Sequence, residues 1–128
     1  MRQMAIDQGG LPGDARRAVS RVCRQARTGA GCEASAVLLT SEVVTNAMVH
    51  GTGVVRLAVG VDDLVVRVEV GDDSSRLPRT TPAPTGDDDG LDLGGRGMGI
   101  VEALSSSWGS SVPAGGGKTV WFEVPTHP

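Results

Sequence analysis

The chain has 128 residues, a formal net charge of −3 at neutral pH, and 19 glycines. This length fits one compact domain, so we expect a single unit over residues 1–128 with its core at about 12–125. The acidic balance argues against nucleic-acid binding through general charge attraction. No apolar run reaches the roughly 18 residues that a membrane span needs, and the N-terminus is short and polar. Together these features predict a soluble, cytoplasmic protein with no membrane partner.

Two helices are predicted in the first half of the chain. Asp14 is a candidate N-cap, and an apolar stripe follows it until glycines at 29 and 31 end the first helix. Five arginines within residues 16–27 are interpreted as the solvated face of this helix rather than as a polyanion site. Two cysteines, at 23 and 32, lack metal-ligand spacing and are expected to be reduced, in or near the core. A second helix is predicted from 33 to 50, with Gly51 after its end.

The second half of the chain alternates between strands and one long irregular segment. Strict alternation at 55–61 and 64–70 around an Asp-Asp turn predicts a β-hairpin. Proline, glycine and aspartate dominate residues 72–95, which predicts a lid or binding loop. A short helix from 97 to 104 and a closing hairpin follow, with strands at 108–112 and 118–124. The order of elements predicts a two-layer α/β fold in which a mostly antiparallel sheet carries its helices on one face.

The second helix carries the first group of residues with chemical potential. Glu42, Asn46 and His50 are spaced by four residues and therefore share one stripe. The helix is apolar nearly all round, which predicts burial and a partner for the two polar groups, such as a cation, water or ligand. On this helix alone, a solvent-exposed Glu42 with Asn46 bonded to a neighbouring loop is an equally good interpretation.

Two further segments carry weaker signals. Asp72 ends a strand, where its carboxylate can accept a hydrogen bond from a ligand amino group, although an ordinary Asp-rich turn explains it better in isolation. Glycines in residues 94–99 allow a phosphate to approach the backbone, and Arg96 adds a positive charge. This segment is neither a P-loop nor a dinucleotide fingerprint.

Taken together and in this order, the segments resemble the nucleotide site of GHKL (Bergerat-fold) ATPases and kinases, in the form found in anti-sigma-factor serine kinases. The matching segments are residues 42–51 for the N box, 72–74 for the G1 box, 95–101 for the G2 box and 117–122 for the last, glycine-led strand. The resemblance is closest to short actinobacterial ATP-binding regulators. It implies a two-layer sandwich with a mixed, mostly antiparallel sheet, helices on one face and a mobile ATP lid at about 76–96.

The resemblance also implies ATP and Mg²⁺ as cofactors, with a role for each matching residue. Asn46 would ligate Mg²⁺, Glu42 would act as general base, and Asp72 would accept a hydrogen bond from the adenine amino group. His50 would contact a phosphate or only cap its helix, and the structural part is favoured. The remaining implied nucleotide contacts are Ser74, Gly95, Arg96, Gly97, Met98, Gly99 and Thr119.

The chain departs from the family pattern at three places. The G1 box lacks the glycines of the wider superfamily and has Ser74 and Arg76 there instead, which puts the adenine contacts in question. The family's first strand is barely visible in residues 1–10, and since that strand often lies at the dimer interface, a homodimer is left open. Three aspartates at 87–89 make the lid acidic, and it would repel a nucleotide unless this segment points outward.

The implied function is a protein serine/threonine kinase and anti-sigma-like switch that transfers the ATP γ-phosphate to a serine of an antagonist protein. Its partners would be ATP or ADP and a protein of the sigma-factor or anti-sigma antagonist type. The alternative is a non-catalytic, nucleotide-sensing module, and a third option is a scaffold that no longer binds nucleotide. A sensor histidine kinase is disfavoured because His50 and His127 are the only histidines.

Overall fold

The computed structural model describes residues 2–8, 12–50, 55–74, 93–112 and 114–127. Within these ranges the elements in chain order are β1 (Arg2–Gln8), α1 (Pro12–Gln25), α2 (Ala30–His50), β2 (Val55–Val61), β3 (Val65–Asp72), α3 (Leu93–Leu104), β4 (Ser107–Ser111) and β5 (Lys118–Pro125). Most of the lid predicted at 76–96 lies outside the described residues. No helix in the described part of the chain is long and apolar enough to span a membrane.

The strands form one five-stranded sheet in the order β1-β2-β3-β5-β4. The four pairings are antiparallel, as the alternating segments predict. β1 pairs with β2 along its whole length, from Arg2 opposite Val61 to Gln8 opposite Val55. Its sequence barely shows this strand, because an edge strand is held by backbone hydrogen bonds that need no regular side-chain alternation. The predicted two-layer α/β class with an antiparallel sheet is confirmed.

The hydrophobic core lies between the helices and one face of the sheet. Val59, Val68 and Phe122 are neighbours across three strands, and each is fully buried. Helix α2 packs over β2, β3 and β5, and α1 packs beside it over β2. Leu39 and Val44 of α2 are also fully buried against this face. The face of the sheet that carries these residues is called the inner face below.

The opposite, outer face of the sheet carries polar and aromatic side chains. The guanidinium of Arg67 lies 4.2 Å from the ring centroid of Trp121 and donates hydrogen bonds to Glu69 and Glu123. The Trp121 ring covers Gly109 so closely that an added Cβ there would lie 2.8 Å from Cζ2 of the ring. Half-buried charged pairs of this kind belong to a solvent-facing surface, so the helical layer and the core are on the inner face.

The predicted turn between β2 and β3 is present and is held by Asp62. Its carboxylate accepts hydrogen bonds from the backbone N–H groups of Leu64 (2.8 Å) and Val65 (2.9 Å). These bonds to the charged form hold the pKa of Asp62 below its usual range. The backbone carbonyl oxygen of Thr126, which follows β5, accepts a hydrogen bond from the N–H of Gly29 and so ties the end of β5 to the loop between α1 and α2.

Both cysteines are free and fully buried, as the sequence predicts for core thiols. Burial raises the pKa of the Cys23 thiol to about 11. A raised pKa means that the folded chain holds this proton more tightly than the unfolded chain does. The stability that it contributes is therefore complete below the unfolded thiol's pKa and is lost as the pH rises from about 9 towards 11.

The helix starts differ from the prediction in α1 and α2. α1 begins at Pro12, because proline's fixed φ suits the first helical position, so Asp14 lies in the first turn and pairs with Arg17 rather than capping the helix. α2 begins at Ala30, three residues before the predicted start. The N–H of Glu33 already bonds the carbonyl of Gly29, which adds a turn to the N-terminal end.

Candidate functional site

Helix α2 positions the first two candidate residues, Asn46 and Glu42, at the boundary between its buried side and solvent. Asn46 is buried, with 7% of its surface exposed, and Glu42 is half-buried. Leu38 (45% exposed) and Val49 (55% exposed) lie beyond them on the solvent side. The prediction that α2 is buried all round is therefore wrong on this side. The helix covers the sheet with its other face, so Glu42 sits where the buried side meets solvent. The side chain of His50, the last residue of α2, lies outside the described residues.

The end of β3 supplies the third candidate residue. Alternation along β3 directs the side chain of Asp72 to the inner face, where it is 1% exposed. Its Oδ1 atom accepts a hydrogen bond from the N–H of Ser74 at 2.7 Å. Its Oδ2 atom lies 3.4 Å from Nζ of Lys118, whose side chain is 4% exposed. The structure therefore brings Asp72 and Ser74 into contact, and Lys118 is a third member of this group that the sequence reasoning missed.

The register of β5 explains why Lys118, and not Thr119, lies beside Asp72. Lys118 pairs with Asp72 and Thr119 pairs with Gly71 in the antiparallel ladder. Alternation puts Lys118 on the inner face with Val120, whereas Thr119 lies on the outer face. The structure thus does not bring the Thr119 side chain to Asp72. The sequence itself indicates this position for Lys118. Every second residue of β5 faces the same side, and Lys118 falls on the side of the buried valines and Phe122.

The glycine-rich segment differs from its prediction. α3 begins at Leu93, four residues before the predicted start, so the backbone of Gly95, Arg96, Gly97 and Met98 is helical rather than a loop that precedes a helix. The side chains of residues 93–98 lie outside the described residues. An apolar stripe that continues to the fully buried Val101 favours the longer helix in spite of its glycines. In this arrangement the free N–H groups of the first turn belong to residues near 93–96 rather than 97–100.

Gly117 lets β5 approach the backbone of Asp72. Its φ is +79°, and a Cβ added there would lie 2.8 Å from the carbonyl oxygen of Asp72. Both the left-handed conformation and this contact need glycine.

We expect Gly117→Ala to lower the free energy of unfolding by about 2 kcal/mol or more, because left-handed φ and the clash both penalise a Cβ. Urea unfolding measures this change. Gly115→Ala is the matched control, since a Cβ at Gly115 meets no atom within 4 Å. Equal stabilities of the two variants would contradict the close approach at Gly117.

A groove of about 410 Å³ lies between α1 and α2, away from Asp72. The polar side chains that line it already have hydrogen-bond partners. Arg16 donates to Ser41, and Ser20 and Arg24 both donate to Glu33. The hydrogen bond from Ser20 and the charge of Arg24 hold the pKa of Glu33 below its usual range. The five arginines of α1 and its end are exposed, which confirms the predicted solvated face.

The chain thus combines a two-layer antiparallel fold with a carboxylate on the inner face beside β5 and a polar boundary along α2. The family model of histidine kinase-like ATPase domains matches residues 9–124. The chain therefore belongs to this GHKL-type family, and the resemblance drawn from its motifs is confirmed at that level. ATP binding, typically with Mg²⁺, is expected of domains in this family. None of the curated proteins compared with the chain matches it.

The described residues contain no group of three or more histidine, cysteine, aspartate or glutamate side chains that could hold a metal ion. A magnesium ion in a nucleotide site needs only one or two protein oxygens, since phosphates and water complete its octahedron. The amide oxygen of the buried Asn46 is an oxygen ligand of that kind. The residues present therefore fit an Mg²⁺ ion that binds together with the nucleotide.

Proposed function

We propose that this protein is an ATP-binding regulator of the anti-sigma-factor kinase type, which transfers the γ-phosphate of ATP to a serine of an antagonist protein. The observation that carries the proposal is Asp72, an acidic side chain that is almost fully buried at the end of a strand. A buried carboxylate is costly unless it is compensated; the N–H of Ser74 and the ammonium of Lys118 compensate Asp72 and leave it lone pairs that can accept from a ligand. In a histidine kinase-like ATPase domain, an amino group of the base is the natural hydrogen-bond donor for it.

The resemblance assigns the roles of the α2 residues, and their positions at the boundary of the buried side support that assignment. Asn46 would hold Mg²⁺, which offsets the charge of the phosphates when bound. Glu42 is half-buried, so it can reach a hydroxyl group that enters from solvent and accept its proton as the γ-phosphate is transferred. The protein partner would be a sigma factor or an anti-sigma antagonist, and the partner's serine hydroxyl would be the attacking group.

A non-catalytic nucleotide sensor is the second candidate function. The ion pair between Lys118 and Asp72 favours it, because an ion pair in the expected base pocket changes the recognition of nucleotide without adding any catalytic group. In that case ATP or ADP would regulate a partner through the lid, and Glu42 would have no chemical role.

Calorimetric titration with ATP and ADP, each with and without Mg²⁺, tests both candidates. We expect micromolar binding that weakens when Mg²⁺ is chelated and when Asn46 is replaced by alanine. The exposed Asp63→Asn, in the turn between β2 and β3, is the control that should leave affinity unchanged. Absence of binding by the wild-type protein under every condition would contradict the kinase and the sensor together.

Gly99 gives a separate test, because the fold does not require a glycine there. It is exposed within α3, and a Cβ at this position would meet no atom within 4 Å. A glycine inside a helix costs up to about 1 kcal/mol relative to alanine. That cost is explained if a phosphate approaches its backbone.

We therefore expect Gly99→Ala to raise the free energy of unfolding by up to about 1 kcal/mol. The same change should weaken ATP binding roughly tenfold, because the added methyl group would keep a phosphate from that close approach. Urea unfolding and calorimetry measure the two effects. Gly115→Ala, in the β4–β5 loop, should leave ATP affinity unchanged. A stabilised Gly99→Ala variant with wild-type ATP affinity would remove this residue from the site.

A further inference from the structure

The solvent side of α2 is apolar although it faces water. Residues 30–49 of this helix carry only two charged side chains, Glu33 and Glu42. A helix at the surface of a domain normally presents charged residues to solvent. Here the solvent side carries four apolar residues, three exposed and one half-buried, which are called the apolar stripe below: Ala34, Leu38, Met48 and Val37. Contiguous exposed apolar residues of this kind mark a binding surface.

A row of arginines runs along α1 beside the apolar stripe. Arg17, Arg21 and Arg24 are separated by four and three residues, so they share one side of α1, and all three are exposed. α1 packs against α2, and Arg16 donates a hydrogen bond across to Ser41 of α2 at 3.0 Å. An apolar stripe with a basic edge therefore lies on one face of the protein, which is called the α1–α2 surface below.

The groove of about 410 Å³ between the two helices is part of this surface. Its small and apolar lining is supplied by both helices: Gly13, Ala30, Ala34 and Val37. Glu33, the acidic residue in the lining, already accepts hydrogen bonds from Ser20 and Arg24. An occupant would therefore gain chiefly by burying apolar side chains in the groove. A groove between two packed helices is a common docking place for an amphipathic helix.

The distribution of charge selects the chemistry of the occupant. Residues 12–27 contain five arginines and one aspartate, whereas the whole chain has a net charge of −3. The positive charge is thus concentrated along α1 on a protein that is otherwise acidic. A basic edge of this kind attracts carboxylates and repels cationic partners. A flat anionic bilayer cannot enter a groove between two helices, so a protein segment fits the surface better.

We propose that the α1–α2 surface docks an acidic amphipathic helix of a partner protein. The apolar residues of that helix would cover the apolar stripe, and its carboxylates would lie along the arginine row. This inference rests on the proposed function in one respect, namely that the regulator acts on a protein partner. Leu38 lies one turn before Glu42 on α2, so a helix docked there would lie beside the proposed general base.

Three synthetic peptides of about 18 residues test the surface on the whole chain without nucleotide. The first has leucines on one helical face and glutamates on the other. The second replaces the glutamates by lysines, and the third replaces the leucines by serines. We expect calorimetry to show that the acidic amphipathic peptide binds at least about tenfold more tightly than either counterpart, and that added salt weakens its binding. NMR amide shifts should change in α1 and α2 and stay constant in β4.

Two substitutions on the surface test its two components. Arg21→Gln removes a cation and Leu38→Gln removes an apolar contact, and each should weaken binding of the acidic peptide about three- to tenfold. Both residues are exposed, so the fold should be unaffected. Arg56→Gln and Leu64→Gln are the matched controls, because they remove an exposed cation and an exposed leucine outside this surface. Both controls should bind the peptide as the wild type does.

The outcomes separate this inference from the proposed function. Equal binding of the three peptides, or no binding of the acidic one, overturns the docking surface whatever the ATP titration shows. Wild-type affinity for the acidic peptide in both Arg21→Gln and Leu38→Gln also overturns it, and so does binding of phosphatidylserine vesicles in place of the peptide. A protein that binds the acidic peptide through α1 and α2 but binds no ATP would keep the docking surface and contradict the nucleotide function alone. The comparison of peptides needs no variant, so it decides even if a variant does not fold.

Discussion

Asp72→Asn is expected to weaken ATP binding at least tenfold, since a hydrogen bond to a charged acceptor contributes about 1.5–3 kcal/mol. The carboxylate must satisfy the N–H of Ser74 and the ammonium of Lys118 with different oxygens. Asparagine has only one acceptor oxygen, so its NH₂ group would face one of these donors or the base amino group. Calorimetric titration with ATP and Mg²⁺ measures the loss.

The same substitution also breaks a buried ion pair, so its effect on folding needs its own control. Removing one partner of such a pair costs about 3–5 kcal/mol, because the other charge is left buried without compensation. The double variant Asp72→Asn/Lys118→Met removes both charges and should recover much of that stability. We expect it to fold and still to bind ATP weakly. A folded double variant with wild-type ATP affinity would show that Asp72 does not contact the base.

The hairpins and the layer order could be predicted because their signals are local. Alternation around Asp62 and the apolar stripe of α1 report a face and a period directly, and the structure follows them. β1 could not be predicted with the same certainty, because its strand conformation depends on pairing with β2, which comes nearly fifty residues later. Long-range pairing of this kind leaves no period in the strand's own sequence.

The candidate site was predictable in its residue types and less so in its contacts. The motif residues Glu42, Asn46 and Asp72 follow from spacing and resemblance, but the ion pair of Asp72 depends on the register between β3 and β5. The resemblance implies Thr119, whereas the observed register places Lys118 beside Asp72, and a shift of one residue in register exchanges the two faces. The start of α3 is predicted too late because glycines have low helix propensity, whereas packing of Val101 favours the longer helix.

Glu42→Gln is expected to lower the rate of phosphate transfer by about 10²–10⁴-fold while leaving ATP affinity close to wild type. Glutamine has nearly the same size as glutamate and cannot take a proton from an attacking hydroxyl. Glu42 is half-buried at the edge of α2, so the substitution leaves no buried charge without its partner and the fold should be unaffected. Release of inorganic phosphate from saturating ATP, with water as acceptor, measures the rate without a protein partner.

The comparison of rate and affinity is what separates catalysis from binding at Glu42. Glu102→Gln, an exposed glutamate of α3, is the control for a lost negative charge and should release phosphate at the wild-type rate. A slow Glu42→Gln variant that binds ATP normally supports the general base. A variant that loses ATP binding makes Glu42 a ligand-binding group instead. Wild-type protein that binds ATP with Mg²⁺ but releases no phosphate and phosphorylates no partner would favour the nucleotide sensor, because a bound nucleotide alone can then order the lid and select the partner.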